Sequence, residues 1–166
     1  PWRVKINDVY SYEAETDSWT ILSDYNGIVD DDFISQGAVC NNIFYIPMSP
    51  NDMYMYEPDS WTELNTSTPE LYLHSSTFTI GDSIYFICGV ETAYSNLAKS
   101  EVWCYNTITN TWSRKNDFPG GPRYVGTGFS INGKGYFGLG KKDQSTVYKD
   151  FWSYDPLTDT WARFLN

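Results

Sequence analysis

Four tyrosine–tryptophan pairs recur along the chain, and a short polar stretch that favours a turn separates the two residues of each pair. The pairs are Tyr12 and Trp19, Tyr56 and Trp61, Tyr105 and Trp112, and Tyr154 and Trp161. Their tryptophans are 42, 51 and 49 residues apart. Self-similarity at so long a period predicts stacked copies of one small unit, because a single copy cannot bury its own apolar surface.

The last copy divides into four short extended segments. Residues 123–131 end at Asn132-Gly133, a dipeptide that suits a two-residue hairpin because both positions tolerate positive φ. Residues 135–140 follow directly, and the segments 150–154 and 161–164 flank an Asp-Pro-Leu-Thr-Asp turn. We therefore predict a four-stranded antiparallel meander, with its strands lettered A to D.

The other copies follow the same order with some losses. The third has segments 72–80, 84–89, 101–105 and 112–115, the second has 31–39, 43–46, 52–56 and 61–64, and the first keeps only 8–12 and 19–22. The sequence thus predicts one domain over residues 1–166, with a half unit at 1–22 and full units at about 31–64, 72–115 and 123–166.

Strand C has the most regular pattern: an acidic residue, an apolar residue, an aromatic residue, a variable residue and a tyrosine. Alternation along a strand puts large side chains on both faces of the sheet. A lone sheet would leave one aromatic face in water, so we expect the copies to pack face to face. A β-sandwich is the alternative, but four strands at a period near 50 residues favour a propeller with almost no helix.

Composition limits the classes of partner. A chain of 166 residues with 41% hydrophobic and 18% aromatic residues is expected to fold as one compact unit. Its net charge of −10 and its lack of a Lys/Arg cluster argue against nucleic acid as a partner. No apolar run approaches the roughly 18 residues that a membrane span needs.

Metal and cofactor sites are not expected either. The cluster Asp30 to Asp32 lacks the spacing of a calcium loop and is interpreted as a solvated loop. The three cysteines and the single histidine lack zinc-site spacing. Buried free thiols are favoured, although Cys88 and Cys104 lie on neighbouring predicted strands and leave a disulfide open.

These features together resemble the kelch repeat: a glycine-rich end to strand B, the acidic-apolar-aromatic-x-Tyr strand C, and a tryptophan that opens strand D. The resemblance covers nearly the whole chain, although Gly138-Leu139-Gly140 and Ile87-Cys88-Gly89 depart from the usual double glycine. It implies an all-β fold, a kelch-type β-propeller segment of about three and a half four-stranded antiparallel blades.

The resemblance also bears on partners and location. Kelch-like propellers usually close with about six or seven blades, so we expect further blades from a longer chain, or association through open blade faces. The amino-acid sequence of the last copy is similar to those of kelch proteins from Bacteroidetes-type cell envelopes. That similarity implies a bacterial protein outside the cell or in its envelope, with the cytoplasm left open.

Candidate ligand-binding residues follow from the same resemblance. The aligned openings of strand A are Asp31, Tyr72 and Arg123, which a propeller would direct towards its central funnel. Arg123 is the first candidate among them, since its planar guanidinium group suits a carboxylate. Its alternative role is a salt bridge to an acid of a neighbouring blade. His74 lies on the same side of its strand as Tyr72, and its alternative is a hydrogen-bonded interior residue.

Loops of a rigid scaffold are the second candidate surface. Tyr94, Tyr148 and Tyr25 lie in the predicted loops and are candidate contacts for a protein or a glycan. Their alternative role is to cover the end of a neighbouring strand.

We therefore expect a non-catalytic recognition module that presents its loops and funnel to a protein or glycan ligand. The alternative is part of a sugar-acting enzyme that resembles the sialic-acid mutarotases among kelch proteins, with acid/base residues in the funnel. A copper radical oxidase like galactose oxidase is disfavoured, because it needs two histidines and the chain has one. No catalytic residue, cofactor or metal is assigned.

Overall fold

The computed structural model describes residues 8–25, 35–57, 60–64, 66–91 and 97–164. In these ranges the chain forms strands, turns and bends, and no helix. The strands make one two-stranded sheet and three four-stranded sheets, all antiparallel, which we number blades 1 to 4 in chain order. The predicted all-β fold class, with three and a half meandering blades, is confirmed. The described ranges offer no helical segment with the length and hydropathy of a membrane span.

Each blade is a simple up-and-down meander. Blade 1 contains β1 (Tyr10–Glu13) and β2 (Ser18–Ile21), and blade 2 contains β3 (Ala38–Cys40), β4 (Ile43–Pro47), β5 (Met53–Glu57) and β6 (Ser60–Leu64). Blade 3 contains β7 (Ser76–Ile80), β8 (Ser83–Val90), β9 (Ala98–Asn106) and β10 (Thr111–Lys115). Blade 4 contains β11 (Thr127–Ile131), β12 (Lys134–Gly138), β13 (Phe151–Asp155) and β14 (Thr160–Arg163).

Each tyrosine–tryptophan pair is a cross-strand pair at the turn between strands C and D. The two residues lie opposite each other in the register of all four blades. Their ring centroids are 5.0, 4.9, 5.0 and 4.8 Å apart in blades 1 to 4. Aromatic cross-strand pairs of this kind stabilise an antiparallel hairpin, which explains why the pair recurs in every copy.

The C–D turn supplies a second repeated contact. The hydroxyl groups of Tyr12, Tyr105 and Tyr154 donate to Asp17, Asn110 and Asp159 at 2.8, 2.6 and 2.7 Å. These three acceptors have φ values of 49°, 54° and 51°. Asn and Asp tolerate this left-handed conformation better than most residues. One short polar side chain thus both closes the turn and holds the tyrosine.

Strand A is shorter than predicted in blades 3 and 4, because a kink interrupts it. His74 and Val125 have φ values of 54° and 49°, and they separate the isolated bridges Leu73–Val90 and Tyr124–Lys141 from β7 and β11. The facing strand kinks too, with φ values of 61° at Cys88 and 59° at Leu139, each followed by a positive-φ glycine. These positions correspond to the double glycine of the kelch repeat that the sequence resembles, and a residue other than glycine is strained there.

Blade 2 differs from the predicted alignment by one residue. Cys40 pairs with Ile43 across the hairpin, as Ile80 pairs with Ser83 and Ile131 with Lys134. Strand A of blade 2 therefore ends at Cys40 and not at Val39. Counting back from Cys40 without a gap aligns residue 32, and not residue 31, with Tyr72 and Arg123. Residues 31 and 32 both lie outside the described residues.

Blades 2, 3 and 4 pack face to face, as predicted. One buried cluster joins blades 2 and 3 and includes Tyr45 and Tyr105, and a second joins blades 3 and 4 and includes Phe78 and Tyr154. The A strands lie side by side: Thr77 Oγ1 donates to the Gly37 carbonyl at 3.1 Å. Burial of apolar surface between neighbouring sheets is thus what holds the copies together.

Candidate functional site

A cavity lies where the first residues of the A strands of blades 2, 3 and 4 meet, and we call it the funnel cavity. Its volume is about 380 Å³. Its lining consists of Ser35, Gln36, His74, Ser75, Ser76, Val125 and Gly126. Hydroxyl, amide and imidazole groups of blades 2 and 3 thus converge on one concave surface, which Val125 and Gly126 of blade 4 complete; a concave surface is the usual form of a small-ligand site.

Hydrogen bonds between blades fix the lining of the funnel cavity. Ser35 Oγ and Ser75 Oγ are 2.9 Å apart, and the Thr77 amide donates to Gln36 Oε1 at 3.2 Å. Ser76 Oγ donates to the Gly126 carbonyl at 2.8 Å. Because each bond crosses from one blade to the next, the polar groups are held in place before any ligand arrives, which reduces the entropic cost of binding.

Backbone strain lies in the same cavity. His74 and Val125 both have left-handed φ values, and the Val125 amide donates to the His74 carbonyl at 3.1 Å. For a β-branched residue such as valine this conformation is a clear outlier. Strain of this kind persists only where the surroundings enforce it, and it is frequent at binding sites.

The described side chains that line the funnel cavity carry no charge at neutral pH. Burial, and then the positive charge of Lys141, lower the pKa of His74 below its ordinary value of about 6.5. The imidazole is therefore uncharged at neutral pH, with one nitrogen that donates and one that accepts. Its ring lies 6.1 Å from the ring of Tyr124, and no carboxylate is among the lining residues that the structure describes.

Arg123 is not among the residues that line the funnel cavity, and its side chain is fully buried in blade 4. Its Nη1 donates to Asp150 Oδ1 at 2.6 Å and to the Leu139 carbonyl at 2.9 Å. Its Nε donates to the Gly121 carbonyl at 3.3 Å, and Nη2 donates to Gly120 and, at 3.2 Å, to Asp150 Oδ2. These contacts occupy its donors, so a ligand role for Arg123 stays a prediction.

Aromatic rings enclose the same guanidinium. It lies 3.8 Å from the ring centroid of Tyr148 and 4.6 Å from that of Phe118. The predicted alternative to ligand binding was an ion pair with an acid of a neighbouring blade, whereas the acid found, Asp150, belongs to the same blade. Burial disfavours ionisation of Asp150, but hydrogen bonds from Arg123 and Trp152 outweigh it and lower the pKa of the carboxyl group.

Tyr72 occupies the position in blade 3 that Arg123 has in blade 4. It is buried, and Lys99 Nζ lies 5.6 Å from its ring centroid. Burial, followed by the charge of Glu101, raises the pKa of the Tyr72 hydroxyl well above its usual range. Glu101 and Asp150 are equivalent, and each accepts a hydrogen bond from the tryptophan two residues later. Strand C's acidic residue therefore has a structural role in both blades.

Tyr148 and Tyr25, the two loop tyrosines that the structure describes, do not line the funnel cavity. Tyr148 and Arg163 line a separate cleft of about 640 Å³ at the edge of blade 4. Tyr25 is buried against Tyr54 and Trp61, with ring centroids 5.0 and 5.4 Å away, so it covers a neighbouring strand. Asp31 and Tyr94 lie outside the described residues.

Of the residues singled out in the sequence, the structure places His74 in the funnel cavity, with Tyr72 and Arg123 nearby but buried. Sequence reasoning missed Ser35, Gln36, Ser75 and Ser76. A signal did exist: Ser35 and Ser75 are equivalent once Cys40 is aligned with Ile80. The three cysteines are buried free thiols, as favoured. Within the described ranges, no group of three or more His, Cys, Asp or Glu side chains is placed to hold a metal ion.

Comparison with known proteins gives two findings. The family model of the kelch motif matches residues 70–119, which include β7 to β10. A solved structure entitled "Structure of YjhT" superposes with a TM-score of 0.64 at 20% sequence identity. The match covers 81% of this chain and 52% of that one, so the chain spans about half the length of that structure. A search of curated proteins found no match.

Proposed function

Because the chain folds as a kelch-repeat β-propeller with three and a half described blades, we propose that it is a non-catalytic recognition module whose funnel cavity binds a neutral glycan. The fold supports a ligand-binding or protein-binding role in general. We propose on the same footing that it acts outside a bacterial cell or in its envelope, where glycans are abundant.

The observation that carries this proposal is the neutral, prearranged lining of the funnel cavity. Each hydroxyl group of a sugar both donates and accepts hydrogen bonds, as do Ser35, Ser75 and an uncharged His74. The cavity volume of about 380 Å³ suits one or two sugar rings. A charged ligand would find no lining partner of opposite sign among the described residues.

One observation favours the alternative, a sugar-acting enzyme of the mutarotase type. His74 lines a concave site, and its lowered pKa keeps the imidazole uncharged at neutral pH, so that one ring nitrogen is free to accept a proton as a general base. In anomer exchange the bond between the anomeric carbon and the ring oxygen breaks, as the anomeric hydroxyl group loses a proton to become a carbonyl group and the ring oxygen gains one. The reverse transfers re-form the bond on the other face of the carbonyl group. The two candidate functions therefore share a site and differ in turnover.

The proposal is tested by titrating the isotope-labelled protein with neutral mono- and disaccharides and following its NMR spectrum. We expect shifts at His74, Ser75 and Gly126, and a loss of affinity of about tenfold or more in Ser75→Ala. The matched control is Ser130→Ala. Ser130 is exposed and lies near the end of β11 that is farther along the chain from Gly126, so this variant should bind like the wild type. Shifts confined to the loops, or no binding by the whole series, would reject a glycan site in the funnel.

Exchange spectroscopy on the same samples separates the two functions. A recognition module leaves the rate of anomer exchange at its solvent value. Acceleration by the wild type that is lost in His74→Ala would establish the enzyme instead.

A further inference from the structure

The cleft that Tyr148 and Arg163 line, which we call the blade 4 cleft, lies between the segment that joins β10 to β11 and the face of blade 4 turned towards blade 3. Its volume is about 640 Å³, and its lining also includes Gly120, Lys149 and Trp152. Trp152 packs on the cluster that joins blades 3 and 4. Arg163 lies opposite Trp152 in the strand register and therefore on the same face of the sheet. Two adjoining blades and the segment between them thus form this cleft.

Arg114 of blade 3 occupies the position that is equivalent to Arg163. Each arginine lies on strand D, opposite the tryptophan of strand C in the register of its blade. Arg114 is paired with acids: its Nε lies 3.7 Å from Glu101 Oε2, and a second ion pair joins it to Asp117. The positive charge of Arg114 is therefore balanced by blade 3 and the segment that follows it.

The equivalent acid of blade 4 is already occupied. Asp150 has the position of Glu101, but both of its carboxylate oxygens accept hydrogen bonds from the buried Arg123. Blade 3 has the uncharged Tyr72 in the place of Arg123, so its strand C acid stays available to the arginine of strand D. Within the part of the chain that the structure describes, Arg163 has no ion pair. Its charge is thus left for a group from outside the described residues.

The blade 4 cleft is locally positive, although the chain carries a net charge of −10. Lys149 and Arg163 are exposed cations of its lining. Asp150 is the one carboxylate among the described residues that line it, and Arg123 balances that charge. Two cations beside a concave surface attract an anion, and a planar guanidinium group can bind two oxygens of a carboxylate or a sulfate at once.

We propose that the blade 4 cleft binds an acidic saccharide, with the carboxylate or sulfate group held by Arg163 and Lys149 and the sugar ring packed against Tyr148 and Trp152. The aromatic side chains offer large and rigid apolar surface to the ring. The choice of a saccharide rests on the proposed glycan-binding function, whereas the choice of an anion rests on the charges of the cleft. No described residue lines both this cleft and the funnel cavity, so the two sites are separate.

The test is an NMR titration of the isotope-labelled protein with galacturonate, galactose 6-sulfate and galactose, which share one ring and differ at C6. We expect the two acidic sugars to shift the indole N–H signal of Trp152 and the backbone signals of Lys149 and Arg163. Galactose should leave these signals in place, because it lacks the anion. The tighter of the two acidic sugars identifies the oxyanion that the cleft prefers.

Equivalent arginines supply the variant and its matched control. Arg163→Gln removes the unpaired charge, and we expect it to weaken binding of both acidic sugars about tenfold or more. Arg114→Gln removes the equivalent arginine of blade 3, which lies outside the cleft, and should bind like the wild type. Lys149→Gln removes an exposed charge and should weaken binding about threefold. It replaces Arg163→Gln if the amide spectrum shows that the arginine variant does not fold.

An equal response of the cleft signals to galactose and to the acidic sugars would overturn the proposal, because the charge would then not be recognised. Unchanged affinity of Arg163→Gln would also overturn it. So would inorganic sulfate that binds as tightly as galactose 6-sulfate, which would make the cleft a simple anion site, or a tetraglutamate peptide that binds more tightly than either acidic sugar. The signals of His74 and Gly126 in the same spectra report on the funnel cavity, so a failure of the proposed function is seen separately.

Discussion

Arg123 and Asp150 form a buried ion pair in blade 4, with Nη1 2.6 Å from Oδ1. The pair joins the segment that enters the blade to the start of strand C. Arg123 also donates to the carbonyl groups of Gly120, Gly121 and Leu139, which lie outside the strands. A buried cation is tolerated here because nearly every donor has an acceptor.

Removal of the acid should therefore be costly. We expect Asp150→Asn to lower the free energy of unfolding by about 3–5 kcal/mol, because it leaves a buried guanidinium without its counter-charge. Urea unfolding measures this change. Asp117→Asn is the matched control: Asp117 pairs with Arg114 at the exposed surface, and its loss should cost about 1 kcal/mol or less. Equal effects of the two changes would contradict the structural role of Asp150.

The stabilising effect of the Asp150 carboxylate should also depend on pH. The pKa of Asp150 is lower in the folded protein than its unfolded value of about 3.9, so the folded state binds fewer protons near that pH. Its contribution is complete above the unfolded pKa and is lost as the pH falls through the folded pKa. We expect the difference in unfolding free energy between wild type and Asp150→Asn to shrink from pH 7 to pH 3. A constant difference would show that the carboxylate charge is not what matters.

The tyrosine of strand C gives a comparison between equivalent positions. Tyr154→Phe removes a buried hydroxyl group that donates to Asp159, and we expect a loss of about 1–2 kcal/mol in unfolding free energy. Tyr12→Phe removes the same bond to Asp17 in exposed blade 1 and should change stability by about 0.5 kcal/mol or less. Chemical denaturation of both variants checks the prediction, and a larger effect at Tyr12 would refute it.

Close packing between blades 3 and 4 depends on a glycine. A methyl group on Gly135 would overlap the ring of Phe78, so we expect Gly135→Ala to destabilise the protein by about 1–3 kcal/mol. The double variant Phe78→Leu/Gly135→Ala should lose less than the sum of the two single changes, because the smaller side chain makes room. Strict additivity of the unfolding free energies would show that the two residues are not in contact.

The blades were predictable because their signals are local. The tyrosine–tryptophan spacing, the Asn132-Gly133 hairpin and the alternating strand C each depend on residues close in sequence, and each predicts one element directly. Packing of the copies followed from the need to cover aromatic faces on both sides of a sheet.

The site was less predictable because it depends on backbone geometry. Residue types alone do not show that His74 and Val125 adopt left-handed φ values. Strand A kinks at these two residues, and His74 lines the funnel cavity whereas Arg123 is buried. The ligand role of Arg123 stays a prediction, but the sequence did not show that its guanidinium is buried and paired with the same-blade acid Asp150. A one-residue shift in blade 2 likewise hid the equivalence of Ser35 and Ser75.

The central claim is that the sheets of blades 2, 3 and 4 pack face to face, with blade 3 burying an aromatic face of blade 2 and blade 4 burying one of blade 3. Nuclear Overhauser effects in solution test it most directly. Contacts are predicted between the ring protons of Tyr85 and Tyr154, and between the Phe78 ring and the α protons of Gly135. If Tyr154 shows contacts only within blade 4, and Phe78 only within blade 3, the sheets do not pack as described and the account fails.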